Sequence, residues 1–159
     1  MAILTRAGRT LFAKTIAQTD IYLAWGRGDA NWQEPTPEPV SAAHLQAVIG
    51  YRKAKKVAFC EPDDTGDIMV QGGRFSQTAE PTQYLYCQFT FDFLDAAGET
   101  IREVGLMSGT VAHHSVPEGQ VYLTPEQVDE PGTLLLLEHR APLIREQGVR
   151  ESFEFVISF

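Results

Sequence analysis

The sequence predicts an α+β fold, an antiparallel β-sheet or β-sandwich with two short helices near the N-terminus. Near the start of the chain, apolar residues recur at intervals of three and four, as they do on one face of an α-helix. Later segments alternate apolar and polar residues with a period of two, which is typical of antiparallel strands. Helices and strands segregated along a chain in this way indicate the α+β class.

Two segments carry the helical pattern. The first, residues 4–17, places the following side chains on one face: Leu4, Ala7, Leu11, Phe12 and Thr15 or Ile16. The second begins at Ser41, a favourable N-cap, and ends at Gly50. In it we expect these residues to face inward: Leu45, Val48 and Ile49.

Strands are predicted at residues 21–25, 57–60, 67–75, 84–95, 100–107, 133–138 and 152–159. Residues 84–95 show the clearest alternation, with these side chains on one face: Leu85, Cys87, Phe89, Phe91 and Phe93. The apolar run at 133–138 predicts a strand that is buried on both faces.

Two loops complete the predicted organisation, a single domain over residues 1–159. Residues 33–40 form a proline-rich loop, because proline removes hydrogen-bond donors and restricts the preceding residue. Residues 109–131 form a long loop with one short strand near Val121. Loops of this length are often functional, so this one is a candidate docking segment.

Composition restricts the class of partner. The chain has 159 residues, of which 43% are hydrophobic and 21% charged, as in globular domains. Its net charge of −8 argues against nucleic acid, whose phosphates require a basic face. No secretory signal opens the chain, and its longest apolar run, residues 134–137, is too short to span a bilayer. We therefore expect neither nucleic-acid binding nor membrane insertion.

No residue pattern predicts catalysis, a cofactor or a metal. Asp63, Asp64 and Asp67 lack the alternation of a calcium loop and fit a turn better. His113 and His114 are adjacent, whereas zinc ligands are usually three or more residues apart. The sequence also lacks a P-loop and a nucleophile elbow, although a scattered catalytic triad stays open.

The two cysteines, Cys60 and Cys87, occur in predicted strands among apolar residues. A disulfide between them is an alternative, but nothing in this setting favours it. We predict two free, buried thiols.

Residues 101–106 contain a break in the strand pattern. Ile101 and Val104 are three residues apart, whereas Val104 and Leu106 are two apart. One extra residue near Arg102 and Glu103 predicts a β-bulge, which would let the three apolar side chains face one core. The charged pair is then either an exposed pair of little energetic weight, or a pair that fixes a strand crossing or meets another subunit.

Further interface candidates are the basic run and the two tryptophans. Arg52, Lys53, Lys55 and Lys56 could bind an acidic partner, or could simply follow the C-terminus of the second predicted helix. Trp25 and Trp32 flank a turn that leads into the proline-rich loop, and we expect them to be exposed.

Several motifs together resemble tail-fibre and baseplate-associated proteins of tailed bacteriophages. R-E-V-G-L-M at 102–107 resembles their R-E-[IV]-G-L-[FM] signature, and I-L-T-R-A-G-R-T-L-F-A-K at 3–14 resembles their opening helix. Further segments resemble parts of those proteins and occur in the same order. They are I-Y-L-A-W-G-R-G with W-Q-E-P, the segment 45–53, and the closing L-E-H-R-A-P-L-I-R-E and F-E-F-V-I-S-F.

The resemblance implies a non-enzymatic structural protein of the virion tail, made in the host cytoplasm. It would pack against other tail or baseplate subunits or anchor a fibre, as a homo-oligomer (a trimer first, a hexamer second). The alternative is a small carbohydrate- or ligand-binding β-domain that uses exposed aromatic residues, Trp25, Trp32 and Tyr84.

Overall fold

The computed structural model describes residues 1–32 and 36–159. Over these residues it contains one α-helix, α1 (Arg6–Ala17), and a 3₁₀ turn, Pro125–Gln127. The twelve strands in the described part are β1 (Ile21–Gly26), β2 (Val48–Lys53), β3 (Lys56–Pro62), β4 (Ile68–Val70), β5 (Gly73–Gln77), β6 (Tyr84–Phe91), β7 (Thr100–Ser108), β8 (Val111–Ala112), β9 (Tyr122–Leu123), β10 (Val128–Glu130), β11 (Thr133–Ile144) and β12 (Glu151–Ser158). The sheets are mostly antiparallel, as predicted.

The second predicted helix is wrong. Residues 41–47 form neither helix nor strand, and β2 begins at Val48. The β-branched residues Val48 and Ile49 favour a strand, and β2 pairs with β1 along most of its length. The local helical pattern is therefore overridden by pairing between distant segments of the chain.

The chain forms two compact units, each made of separate segments. The first consists of Met1–Thr19, Ala54–Phe89 and Ser152–Phe159. The second consists of Asp20–Lys53 and Thr90–Glu151. We call them the helix unit, which contains α1, and the edge unit, which contains the groove described below.

The helix unit contains a five-stranded sheet in the order β12-β6-β3-β5-β4. An apolar cluster in this unit has Cys60, Ile68, Phe75 and Tyr86 as its buried members. Helix α1 starts after Thr5, whose hydroxyl accepts a hydrogen bond from the Gly8 amide at 3.2 Å. Of the helix residues, Ala13 alone is buried.

The edge unit contains a second five-stranded sheet, in the order β11-β7-β1-β2-β9, and a two-stranded sheet of β10 and β8. One apolar cluster in this unit is formed by Tyr22, Ala24, Leu45, Tyr51, Met107 and Leu123. Strand β11 lies at the edge of the larger sheet. Its leucines are half-buried or exposed, so the prediction of a strand buried on both faces is wrong.

Strand β6 confirms the predicted alternation but ends earlier than expected. Leu85, Cys87, Phe89 and Phe91 are completely buried on it. The strand stops at Phe91, and residues 92–98 form a turn that includes Ala96 at φ 53° and Gly98 at φ 80°. Phe93 consequently leaves the strand face and is exposed.

The predicted β-bulge is not on β7. From Glu103 to Ser108, β7 pairs with β1 without a register shift. The irregularity lies on the neighbouring strand, where His139 opposes Glu103 but Leu143 opposes Ile101. β11 therefore carries the extra residues, and Arg102 and Glu103 simply alternate to opposite faces of a regular strand.

Residues 109–131 contain several short elements: β8, β9, the 3₁₀ turn and β10. β8 and β10 pair with each other, and β9 pairs with β2. Of the proline-rich segment, residues 36–40 form neither helix nor strand, and residues 33–35 lie outside the described part of the chain.

The two cysteines are free and buried, as predicted. Burial in the apolar sheet raises the pKa of the Cys60 thiol to about 11 and that of the Cys87 thiol to about 12. Both sulfur atoms are therefore held as neutral thiols.

Candidate interaction site

A groove opens at the edge of the larger sheet in the edge unit. It forms where β11 departs from its pairing with β7, between His139 and Leu143. A cavity of about 360 Å³ results, lined by Trp32, Thr36, Pro37, Glu38, Arg102, His139, Arg140, Ala141 and Pro142. We call this cavity the edge groove.

One wall of the edge groove is an aromatic pair. The rings of Trp32 and His139 are 4.2 Å apart, with their planes inclined by 30°. The His139 amide donates to Glu38 Oε1 at 2.9 Å, and His139 Nδ1 lies 3.1 Å from the Thr36 carbonyl oxygen. A carbonyl can only accept, so this contact assigns the ring proton to Nδ1. The bond from His139 lowers the pKa of the Glu38 carboxyl, which keeps it ionised and in place.

Arg102 contributes a positive charge to the same groove. Its Nη1 donates to the Arg27 carbonyl oxygen at 3.1 Å. Arg27 in turn pairs with Glu99, with its Nε 2.8 Å from Oε2, and this bond lowers the pKa of the Glu99 carboxyl. The Arg102 guanidinium is thereby anchored to the turn after β1.

Glu103 points to the other face of β7 and is 1% exposed. Its Oε1 accepts a hydrogen bond from the Ala47 amide at 3.1 Å. A Cβ atom on Gly26 would lie 2.3 Å from the same oxygen, so glycine is needed there to admit the carboxylate. Glu103 also lines a second depression of about 270 Å³, which shares Trp32 and His139 with the edge groove.

The expectation that Trp25 is exposed is wrong, because the side chain is completely buried. β1 is the central strand of its sheet. The indole stacks on Phe91 with ring centroids 3.5 Å apart and planes inclined by 7°. The Arg145 guanidinium lies 5.2 Å from the indole centroid. Trp25 therefore offers no surface to a partner.

The basic run is divided between the two units. Arg52 pairs with Asp95 at 2.8 Å in a partly buried contact, and Lys53 pairs with Asp20 at 3.0 Å on the surface. Lys55 and Lys56 belong to the other unit, where the Lys56 ammonium lies 6.0 Å from the Tyr86 ring centroid. Half of the run therefore already has carboxylate partners.

The structure thus brings together two of the predicted interface residues, Trp32 and Arg102. The sequence interpretation missed His139 and Arg140, which line the groove beside them. A signal was present, since Pro142 within an otherwise strand-like run indicates an edge strand or an irregularity.

The described residues, 1–32 and 36–159, hold no group of three or more His, Cys, Asp or Glu side chains placed to bind a metal ion. Over the same part of the chain, no helix has the length and apolarity needed to cross a membrane.

Comparison with known protein families gives a match over the whole chain. The matching family is described as "Baseplate wedge 3 tail fiber network component", and the match covers residues 1–159. The chain belongs to this family. It is therefore a structural component of a phage baseplate, located in the virion tail, with other baseplate proteins as partners. The resemblance seen in the sequence is confirmed. A search of curated proteins found no match.

Proposed function

We propose that this baseplate component acts without catalysis, by holding an extended acidic segment of a neighbouring baseplate subunit in the edge groove. The observation that carries the proposal is the meeting of Trp32, His139 and Arg102 in one open cavity at a sheet edge.

The chemistry of the lining favours such a segment. Arg102 and Arg140 supply guanidinium groups, which bind carboxylates with two parallel hydrogen bonds. Trp32 and His139 supply a flat apolar surface, and aromatic residues with arginine are enriched where protein interfaces are strongest.

The position of the groove also suits an extended chain. β11 is an edge strand, and its residues 140–142 lie outside the register that pairs β11 with β7. Peptides often bind by lying along an exposed sheet edge, with pockets that accept alternate side chains.

The test is incorporation into particles during phage growth. Arg102→Glu places a like charge against the acidic segment, and we expect on the order of tenfold less of this protein per particle. Trp32→Ala should act in the same direction. Lys55→Glu is the matched control, since it makes the same charge change at an exposed site in the other unit.

Mass spectrometry of purified particles measures the copy number, and the melting temperature of each isolated variant checks its fold. Equal incorporation of Arg102→Glu and Lys55→Glu would overturn the proposal.

The alternative function, glycan binding, makes a separate prediction at the same groove. Because Trp25 is buried, a saturable fluorescence change on adding a glycan would come from Trp32. Such a change, if abolished by Trp32→Phe, would favour sugar binding over the docking of a protein segment.

We also propose that the copies in a particle form a homo-oligomer, with a trimer as the first expectation and a hexamer as the second. Baseplates have rotational symmetry, so each copy must present a repeated interface.

A further inference from the structure

Helix α1 exposes an apolar face. Leu4, Leu11 and Phe12 are 47%, 58% and 49% exposed, respectively, whereas Ala13 is the buried residue of the helix. Leu4 precedes the helix, and its Cδ1 would lie 3.0 Å from a Cβ on Gly8. Gly8, Leu11 and Phe12 are spaced by three and four residues, so the three apolar side chains lie on one side of the helix. An apolar surface of this kind usually marks an interaction site.

The same segment is basic, although the protein as a whole is acidic. Residues 1–19 contain Arg6, Arg9 and Lys14, and the first acidic residue of the chain is Asp20. The chain as a whole has a net charge of −8. Arg9 and Lys14 are three residues from Phe12 and Leu11, respectively, so they flank the apolar face. This face therefore fits an acidic partner that also exposes apolar side chains.

The edge unit of the same chain offers such a surface. Residues 109–131 contain no Lys or Arg, and their four carboxylates are all exposed: Glu118, Glu126, Asp129 and Glu130. Val111 and Val121 are exposed within the same segment. Paired strands β8 and β10 give this segment a defined shape.

We infer that α1 of one copy docks on residues 109–131 of a second copy. The contact joins two different surfaces, so it is head-to-tail, and repeating it generates a ring when the rotation closes. Pairing of α1 with α1 is disfavoured, because it would bring Arg6, Arg9 and Lys14 against their own copies. This contact uses neither Arg102 nor Trp32, and it goes beyond the proposed function of the edge groove.

The first experiment is sedimentation of the purified chain over a range of concentrations. The wild-type protein should self-associate, and Arg9→Glu/Lys14→Glu should raise the dissociation constant on the order of tenfold or more, because it places like charges across the contact. Lys55→Glu/Lys56→Glu is the matched control, with the same change in net charge on two exposed lysines of the same unit. It should associate as the wild type does.

Charge exchange provides the rescue. Glu118→Lys/Glu126→Lys should also weaken self-association, and mixing it with Arg9→Glu/Lys14→Glu should restore mixed complexes. Circular dichroism of each variant checks that α1 is retained. The inference would be overturned if the wild-type chain stayed monomeric at every concentration. It would also be overturned if the charge-reversed α1 variant self-associated as tightly as its control, Lys55→Glu/Lys56→Glu.

Cross-linking separates contact between copies from contact within one copy. A Leu11→Cys chain mixed with a Val121→Cys chain should give a disulfide-linked dimer. The native thiols are buried and should not compete for this disulfide. If the double variant at high dilution instead forms an internal disulfide faster than the mixture forms dimers, the docking is within one chain and the inference fails. Arg102→Glu should associate normally, so failure of the edge-groove proposal would leave this test unchanged.

Discussion

The two units differ in what they bury. In the described residues, the buried polar and charged side chains are Asp95, Glu103, Ser108, Thr110 and Arg145, and all five belong to the edge unit. The buried residues of the helix unit are apolar residues, tyrosine and two neutral thiols.

The buried polar side chains of the edge unit form hydrogen bonds that hold its loops in place. Arg145 donates to the backbone carbonyls of Asp92, Asp95 and Val149, at 2.7, 3.2 and 3.0 Å. The Thr110 hydroxyl donates to the Pro131 carbonyl at 2.8 Å. Apolar packing has no direction, whereas each of these bonds fixes one loop in one place. The edge unit carries the loops and the groove, and its buried polar groups position them.

The strongest test of this comparison is Arg145→Ala. The substitution removes the donor to three carbonyl oxygens, of which the one on Asp95 lies in a buried contact, and it leaves space beside Trp25. We expect it to lower the free energy of unfolding by about 2–4 kcal/mol, because hydrogen bonds from a charged donor contribute about 1.5–3 kcal/mol each and are not additive. Chemical denaturation measures the loss.

Arg150→Ala is the matched control for that substitution, because Arg150 forms a surface pair with Asp92 at 3.0 Å. Its loss should cost about 0–1 kcal/mol. Similar losses for the two variants would contradict the structural role given to the buried arginine.

Gly105→Val gives a smaller expected effect in the same unit. A Cβ at this position would lie 2.3 Å from Leu45 Cδ1 and 2.8 Å from Leu134 Cδ1. Overpacking of this kind costs about 1–3 kcal/mol, and more where backbone must move. Arg102→Ala, its neighbour on the strand, should cost about 0–1 kcal/mol. Equal melting temperatures would mean that Gly105 is not enclosed as described.

The helix unit gives the smallest expected effect, an absence of thiol reactivity. The attacking species is the thiolate, and burial raises the pKa of Cys60 to about 11 and that of Cys87 to about 12. Raising the pH from 8 towards 10 should therefore leave the native protein nearly unreactive to a thiol reagent. Two thiols should titrate after denaturation without reductant. A count of zero would reveal a disulfide, and rapid native reaction would show that the sheet opens.

Sequence pattern predicted the strands well wherever alternation was long. Strands β6 and β12 show why, since a period of two with aromatic residues on one face requires a half-buried strand. The segment 41–50 failed because its helical spacing and its β-branched residues conflict, and pairing of β2 with β1 decided the outcome. Local pattern also located α1, but could not tell that its apolar face is exposed.

The candidate site was only half predictable. The break in strand alternation points to Arg102, and the turn before the proline-rich loop points to Trp32. The same turn also points to Trp25. The structure distinguishes the two tryptophans because β1 is central in its sheet, whereas Trp32 lies in the loop beyond it. His139 reaches the groove through a pairing between residues more than a hundred positions apart, to Thr36 and Glu38, and no local pattern records such a contact.

Because each unit is made of separate segments, the two units are completed at different points along the chain. Every segment of the edge unit precedes Ser152, whereas the helix unit needs β12 to complete its sheet beside β6. All residues of the edge unit are therefore synthesised before residues 152–159. Residues 54–89 must wait with the edge of β6 unpaired, and unpaired strand edges are the sites at which nascent chains associate wrongly. Pairing of β12 with β6 is therefore the step that closes this edge.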